Sequence, residues 1–181
     1  MRNTLITLMF FVLSISISGQ TERKSISFLA GYSENGHSLM TNFNFYPNEN
    51  IERFFELGAF AGFLEERNTG YDIPIEILTI NAGYFTEISS MSSTNRSFLL
   101  SIGIGGVIGN ETLDISNVEL SGRETITTKG GLIYGGYGAL QIDTLLIRKL
   151  FLLARYSHFY HINSEVGKTK FMLGLGIAFK F

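Results

Sequence analysis

Lys170-Phe171-Met172-Leu173-Gly174-Leu175-Gly176-Ile177-Ala178-Phe179-Lys180-Phe181 closes the chain with a period of two. Phe171, Leu173, Leu175, Ile177, Phe179 and Phe181 share one parity and are all large and apolar. Met172, Gly174, Gly176, Ala178 and Lys180 share the other and are mostly small. Side chains alternate between the two faces of a strand, so this pattern predicts β structure. Large residues on one face suit hydrocarbon outside, and small residues on the other suit the narrow interior of a barrel.

The same division recurs upstream. Phe98, Leu100, Ile102 and Ile104 stand against Ser101, Gly103 and Gly105. Leu132, Tyr134, Leu140 and Ile142 stand against Gln141 and Asp143, and Leu150, Leu152, Ala154 and Tyr156 against Arg155. Runs at 26–33, 38–46, 53–64 and 74–87 alternate less cleanly. Together these predict an all-β chain: a closed, antiparallel, up-and-down outer-membrane β-barrel of about eight strands. Several runs reach the ~9–11 residues that a tilted strand needs to cross a bilayer. Closure pairs every backbone group where lipid offers no partner. With both termini on the periplasmic side, Pro47–Ile51, Ile88–Asn95 and Thr144–Arg148 are short inward turns. Ser33–His37, Glu65–Ile73, Ile108–Lys129 and His161–Lys168 are outward loops, the third being the longest. A terminal phenylalanine on an alternating aromatic strand resembles the signal read by the barrel-assembly machinery. Phe171, Leu173, Leu175, Ile177, Phe179 and Phe181 are the candidate residues. A soluble β-sandwich or lipocalin-like barrel ending on a core strand is the competing reading.

Composition fits this class. The 181 residues include 20 glycines, 16 phenylalanines and 8 tyrosines but only 2 prolines. The formal net charge is −2, which gives no reason to expect direct nucleic-acid binding. Cysteine is absent, which excludes disulfides, thiolate chemistry and cysteine-zinc sites. Residues 1–19 read as a secretory signal: Arg2 charges the start, Leu5–Leu13 is apolar, and Ser14–Gly19 offers small residues for cleavage just before Gln20. The barrel domain is then 20–181. The apolar run is shorter than the ~20 residues of a helical span. An uncleaved anchor is the alternative.

Glu56, Asn81, Gln141, Asp143 and Arg155 are the candidate lumen network. All five could point inward; a cation on the lipid face near the bilayer midplane costs about 2–4 kcal/mol and an acid less, so a lumen network is the natural home for Arg155 and Glu56. A pore lining or an acid–base set is one reading. A plug of paired charges in a narrow interior is the preferred one. The glycines at 103, 105, 106, 130, 131, 135, 136 and 138 precede no helical period, which argues against a phosphate loop and for a tight interior. His158 and His161, with Glu165 near, make a weak metal pattern and read better as a solvated loop edge. His37 reads as a turn residue. No Ser/His/Asp set has motif context. No cofactor, metal site or catalytic residue is expected.

From Glu56 onward the chain resembles the TraO family of conjugal-transfer proteins of Bacteroidetes conjugative transposons. The pieces are the aromatic, acidic strand near Phe54–Gly58; Tyr71-Asp72-Ile73-Pro74-Ile75 leading to Ala82-Gly83-Tyr84-Phe85; and Phe98–Gly106 before Gly109-Asn110-Glu111-Thr112-Leu113. Leu132-Ile133-Tyr134-Gly135-Gly136 follows, then Val166-Gly167-Lys168 and Leu173-Gly174-Leu175-Gly176-Ile177. The resemblance implies a part in conjugative DNA transfer, as an outer-membrane component of the mating apparatus in a Gram-negative cell. Expected partners are outer-membrane lipid, the barrel-assembly machinery and other proteins of the apparatus. A porin-like or adhesion barrel outside conjugation is the alternative, and a lipid-acting barrel enzyme is a third reading.

Overall fold

The alternation of residues 170–181 runs through eight antiparallel strands that close into one barrel. They are β1 (Lys24–Ser33), β2 (Gly36–Phe45), β3 (Arg53–Asn68), β4 (Tyr71–Glu87), β5 (Phe98–Leu113), β6 (Gly130–Ile147), β7 (Leu150–His161) and β8 (Thr169–Lys180). Each strand pairs with the next, and β8 pairs with β1. The computed structural model describes residues 23–47, 52–68, 71–93, 97–113, 130–164 and 167–181. The signal sequence lies outside the described residues, as do 48–51 and the centre of the longest connection, 114–129.

The geometry of closure follows from the register. Starting at Lys180, successive partners around the wall are Ser25, Asn44, Glu56, Gly83, Gly105, Tyr137, Phe159 and Lys170. One circuit therefore leaves β8 at Lys180 and re-enters it at Lys170, a stagger of ten residues. Ten residues of rise, ~33 Å, over eight strand spacings, ~38 Å, tilt the strands by about 40°. That tilt gives an interior that side chains can just fill.

The two parities separate as the pattern requires. Leu173, Leu175 and Ile177 of β8 face outward, and Leu175 is 65% exposed. Ile104, Ile80, Leu78 and Leu132 continue this outward apolar surface around the barrel. Aromatic side chains mark its two ends. Phe45, Phe55 and Tyr84 lie toward the end that carries both described termini, residues 23 and 181; Tyr32, Tyr134 and Tyr160 lie toward the other. A closed sheet whose outer face is apolar across its middle is matched to hydrocarbon. Inside, Phe60, Phe85, Phe159, Leu153 and Met172 are buried in one cluster. The Phe54 and Phe85 rings stack at 4.8 Å, and Phe60 packs on Phe159 at 5.0 Å.

Several boundaries differ from expectation. The loop expected at Glu65–Ile73 is mostly ladder, because β3 and β4 stay paired out to Asn68 and Tyr71. The loop expected to begin at Ile108 begins after Leu113, since β5 stays paired with β4 and β6 to that point. Polar residues end the hydrophobic alternation there, but backbone pairing continues. At the terminal end, β6 runs on to Ile147 through a register shift between Leu145 and Ile147. Ser89–Met91 forms a single 3-10 turn between β4 and β5. His161 is not a solvated loop residue: it ends β7 pointing inward, 1% exposed. His37 lies within β2 and stacks on Phe63 at 5.3 Å.

The glycines are likewise not all interior. Gly103 shares the inward parity of Ser101. Gly106, Gly136 and Gly138 share the outward parity of Ile104, Tyr134 and Leu140.

Candidate functional site

Parity places the polar side chains of β3, β6 and β7 in the lumen, and register decides which of them meet. Glu56, Asn81, Gln141, Asp143 and Arg155 are all buried. Arg155 grips Glu56 across the barrel through both arms of its guanidinium. Nη2 donates to Oε1 at 2.8 Å, and Nη1 donates to Oε2. Both side chains are fully shielded from solvent. A bidentate, charge-assisted pair is what offsets the cost of taking two ions out of water.

The remaining donors and acceptors extend this pair into a chain. Arg155 Nη1 also donates to Gln141 Oε1 at 3.3 Å, and Nε donates to Ser157 Oγ at 2.9 Å. Gln141 Nε2 donates to Asp143 Oδ1 at 2.8 Å. With the Asn42 amide turned to suit its surroundings, its oxygen accepts from Arg155 Nη1 at 3.3 Å. The guanidinium carbon lies 4.9 Å from the centre of the Phe85 ring and 5.9 Å from that of Tyr137. Four of the five candidates thus form one network. Asn81 stands apart and accepts from Thr79 Oγ1 at 3.0 Å.

Sequence reasoning missed two members. Tyr137 donates its phenol proton to Glu56 Oε1 at 2.9 Å. It reaches Glu56 because the partners between them in the register are Gly83 and Gly105. A Cβ on Gly105 would sit 2.5 Å from the Tyr137 ring, and one on Gly83 would collide with the phenol oxygen. The two glycines form a trough in which the Tyr137 side chain lies. Lys180 is the other omission. Its ammonium lies 3.7 Å from Asp143 and 4.0 Å from the Phe151 ring centre. Lys180 shares the inward parity of Met172, which was the available signal.

Toward the termini, the Tyr46 hydroxyl shares a hydrogen bond with Ser25 Oγ at 3.3 Å. Burial pushes the Tyr46 phenol above its ordinary range, and the Asp143 charge adds to this, so Tyr46 stays protonated. At the opposite end a second, smaller group closes the lumen. Ser164 Oγ donates to the buried Glu111 at 2.7 Å, and Lys170 pairs with Glu34 at 3.1 Å. The Asn163 amide donates to Leu132 O and accepts from Tyr134 N at 3.0 Å, so the β7–β8 connection is fastened to β6. Among the described residues no three His, Cys, Asp or Glu side chains converge as metal ligands. The arrangement is a filled interior held by a buried ion pair.

Solved structures resemble this fold. The surface protein NspA of Neisseria superposes with a TM-score of 0.56 at 13% identity, covering 88% of this chain and 95% of its own. The attachment invasion locus protein Ail of Yersinia pestis gives 0.58 at 11% identity, covering 90% of this chain and 100% of its own. OprG, an outer membrane protein of Pseudomonas aeruginosa, gives 0.53 at 16%, covering 91% and 99%. At such identities the likeness is one of fold, that of the eight-stranded outer-membrane barrel. No curated protein matches the sequence. The family described as conjugative transposon protein TraO matches residues 34–181, from the β1–β2 turn to the final phenylalanine, and the chain belongs to that family.

Proposed function

We propose that the chain is an outer-membrane component of a conjugative mating apparatus in a Gram-negative cell, acting by contact and not by catalysis. Family membership over residues 34–181 is the observation that carries this reading. The outward apolar surface supports residence in a bilayer, and the secretory signal read in residues 1–19 supports export, with cleavage just before Gln20. Both described termini and the short β2–β3, β4–β5 and β6–β7 connections lie at one end, which is assigned to the periplasm. The long β3–β4 and β5–β6 pairs lead to the opposite end, where contacts with other proteins of the apparatus, or with a recipient cell, are expected.

The terminal strand Phe171–Phe181 is proposed as the segment that the assembly machinery reads. The lumen network has a structural part: its charges are matched to one another, not displayed to a substrate. Deleting the gene from its element tests the main reading. Transfer frequency should fall by orders of magnitude while excision of the element continues, and a plasmid copy should restore transfer. Unchanged transfer in the deletion strain sinks the conjugation role and leaves a general outer-membrane barrel.

A further inference from the structure

Cations gather on one sector of the terminal end. The exposed Arg23 and Lys24 lead into β1, and the exposed Arg148 and half-buried Lys149 form the β6–β7 turn. Backbone hydrogen bonds bring these segments side by side around β8. Lys24 and Phe181 exchange bonds of 3.0 and 2.8 Å, and Lys180 N donates to Lys149 O at 2.9 Å. The described acids at this end are placed elsewhere. Glu52 and Glu87 adjoin each other on β3–β4, where Glu87 N donates to Glu52 O at 2.6 Å, beside Arg53. Asp143 is buried against Lys180 inside the lumen. Among the described residues the C-terminal carboxylate of Phe181 is the acid within the sector, and it stands against Lys24, Arg148 and Lys149.

What borders these cations narrows the partner. Phe179 and Phe181 stack at 6.2 Å along the outer wall. The register shift in β6 leaves Leu145, Leu146 and Ile147 all exposed, immediately before Arg148. Cationic side chains therefore rise from the edge of an apolar and aromatic surface. At that depth a bilayer presents phosphate headgroups, and basic residues beside apolar anchors are attracted to anionic lipid. At the opposite end, among the described residues, Glu65 and Glu76 are exposed along with Lys168, and Lys170 is drawn inward to Glu34.

We propose that the sector formed by Lys24, Arg148 and Lys149 binds the phosphate headgroups of anionic phospholipids in the leaflet at the terminal end of the barrel. This goes beyond a role in DNA transfer and needs only that the barrel resides in a bilayer. Full-length protein in phosphatidylcholine vesicles, probed with spin-labelled phosphatidylglycerol and spin-labelled phosphatidylcholine, tests it by electron spin resonance. The parent should hold phosphatidylglycerol at its surface about 5-fold more strongly at low salt, and less so at high salt. Lys24→Gln/Arg148→Gln/Lys149→Gln should lose that preference, whereas Lys168→Gln at the other end should keep it. Arg148→Gln alone changes an exposed turn residue and should lower the preference in a barrel that still folds. Three outcomes overturn the proposal: a parent that does not discriminate, a folded triple variant that retains the preference, or an unchanged Arg148→Gln. The first would leave the sector free for an acidic periplasmic protein.

Discussion

Arg155 and Glu56 illustrate how a residue's worth depends on what it would leave behind. Removing one partner strands the other charge in a site without water, a loss of ~3–5 kcal/mol. Arg155→Met and Glu56→Gln should each lower the urea midpoint of the folded barrel in detergent micelles. The double variant should lose less than the sum of the two, because neither charge is then stranded. A purely additive result would remove the coupling. The glycines give a second contrast. Gly105→Ala would press a methyl group into the Tyr137 ring and break its bond to Glu56. Gly174→Ala collides with the terminal methyl of Met172 at 2.6 Å, its other neighbours lying at ordinary contact distance, and a flexible side chain can yield. Gly105→Ala should therefore destabilise more, by the same titration. Outward, Leu175→Arg places a cation near the middle of β8, where burial in lipid costs about 2–4 kcal/mol. In cells this variant should lose the heat-modifiable gel band of a folded barrel while Gly174→Ala keeps it. Equal behaviour of the two would refute the facing of β8.

At the scale of the strand, parity was readable and extent was not. Alternation assigns faces because one side must be apolar and the other must fit a lumen, and β8 shows both demands in twelve residues. The same logic located Glu56, Gln141, Asp143 and Arg155 inside. It could not find Tyr137, whose partner lies three strands away across two glycines, because such contacts depend on register and not on spacing. Strand ends were missed where pairing outlasts the apolar pattern, as at Glu65–Asn68. The register shift at Leu145/Ile147 falls beyond Asp143, the last lumen residue of β6, and so spares the network. Just after it, Lys149 adopts φ 72°, a left-handed conformation that a side chain with a Cβ resists. Lys149→Gly should relieve that strain and raise stability by ~1 kcal/mol, read as a higher urea midpoint. A lower midpoint would argue against strain in this turn.

For the whole molecule, the lumen determines what can pass. Phe60, Phe85, Phe159 and Met172 fill its middle, and the Arg155–Glu56 pair ties opposite walls together. Planar-bilayer recordings of the parent should show no steady open level, and a Glu56→Ala/Arg155→Ala/Tyr137→Ala variant should show small, noisy openings. A steady conductance in the parent would contradict the plug.

The stagger of ten residues also bears on how such a chain can vary. Ten is even, so one circuit returns an inward position to an inward position. A lone insertion within a strand, unless a bulge absorbs it beyond the last lumen residue as in β6, turns the rest of that strand inside out. It would carry charges into lipid and large apolar groups into the lumen. Connections bear no such parity, and their lengths are free. Descendants of one ancestral barrel can therefore diverge by rewriting the open rim while the wall stays in phase, and differences between relatives in what they grasp should be written there.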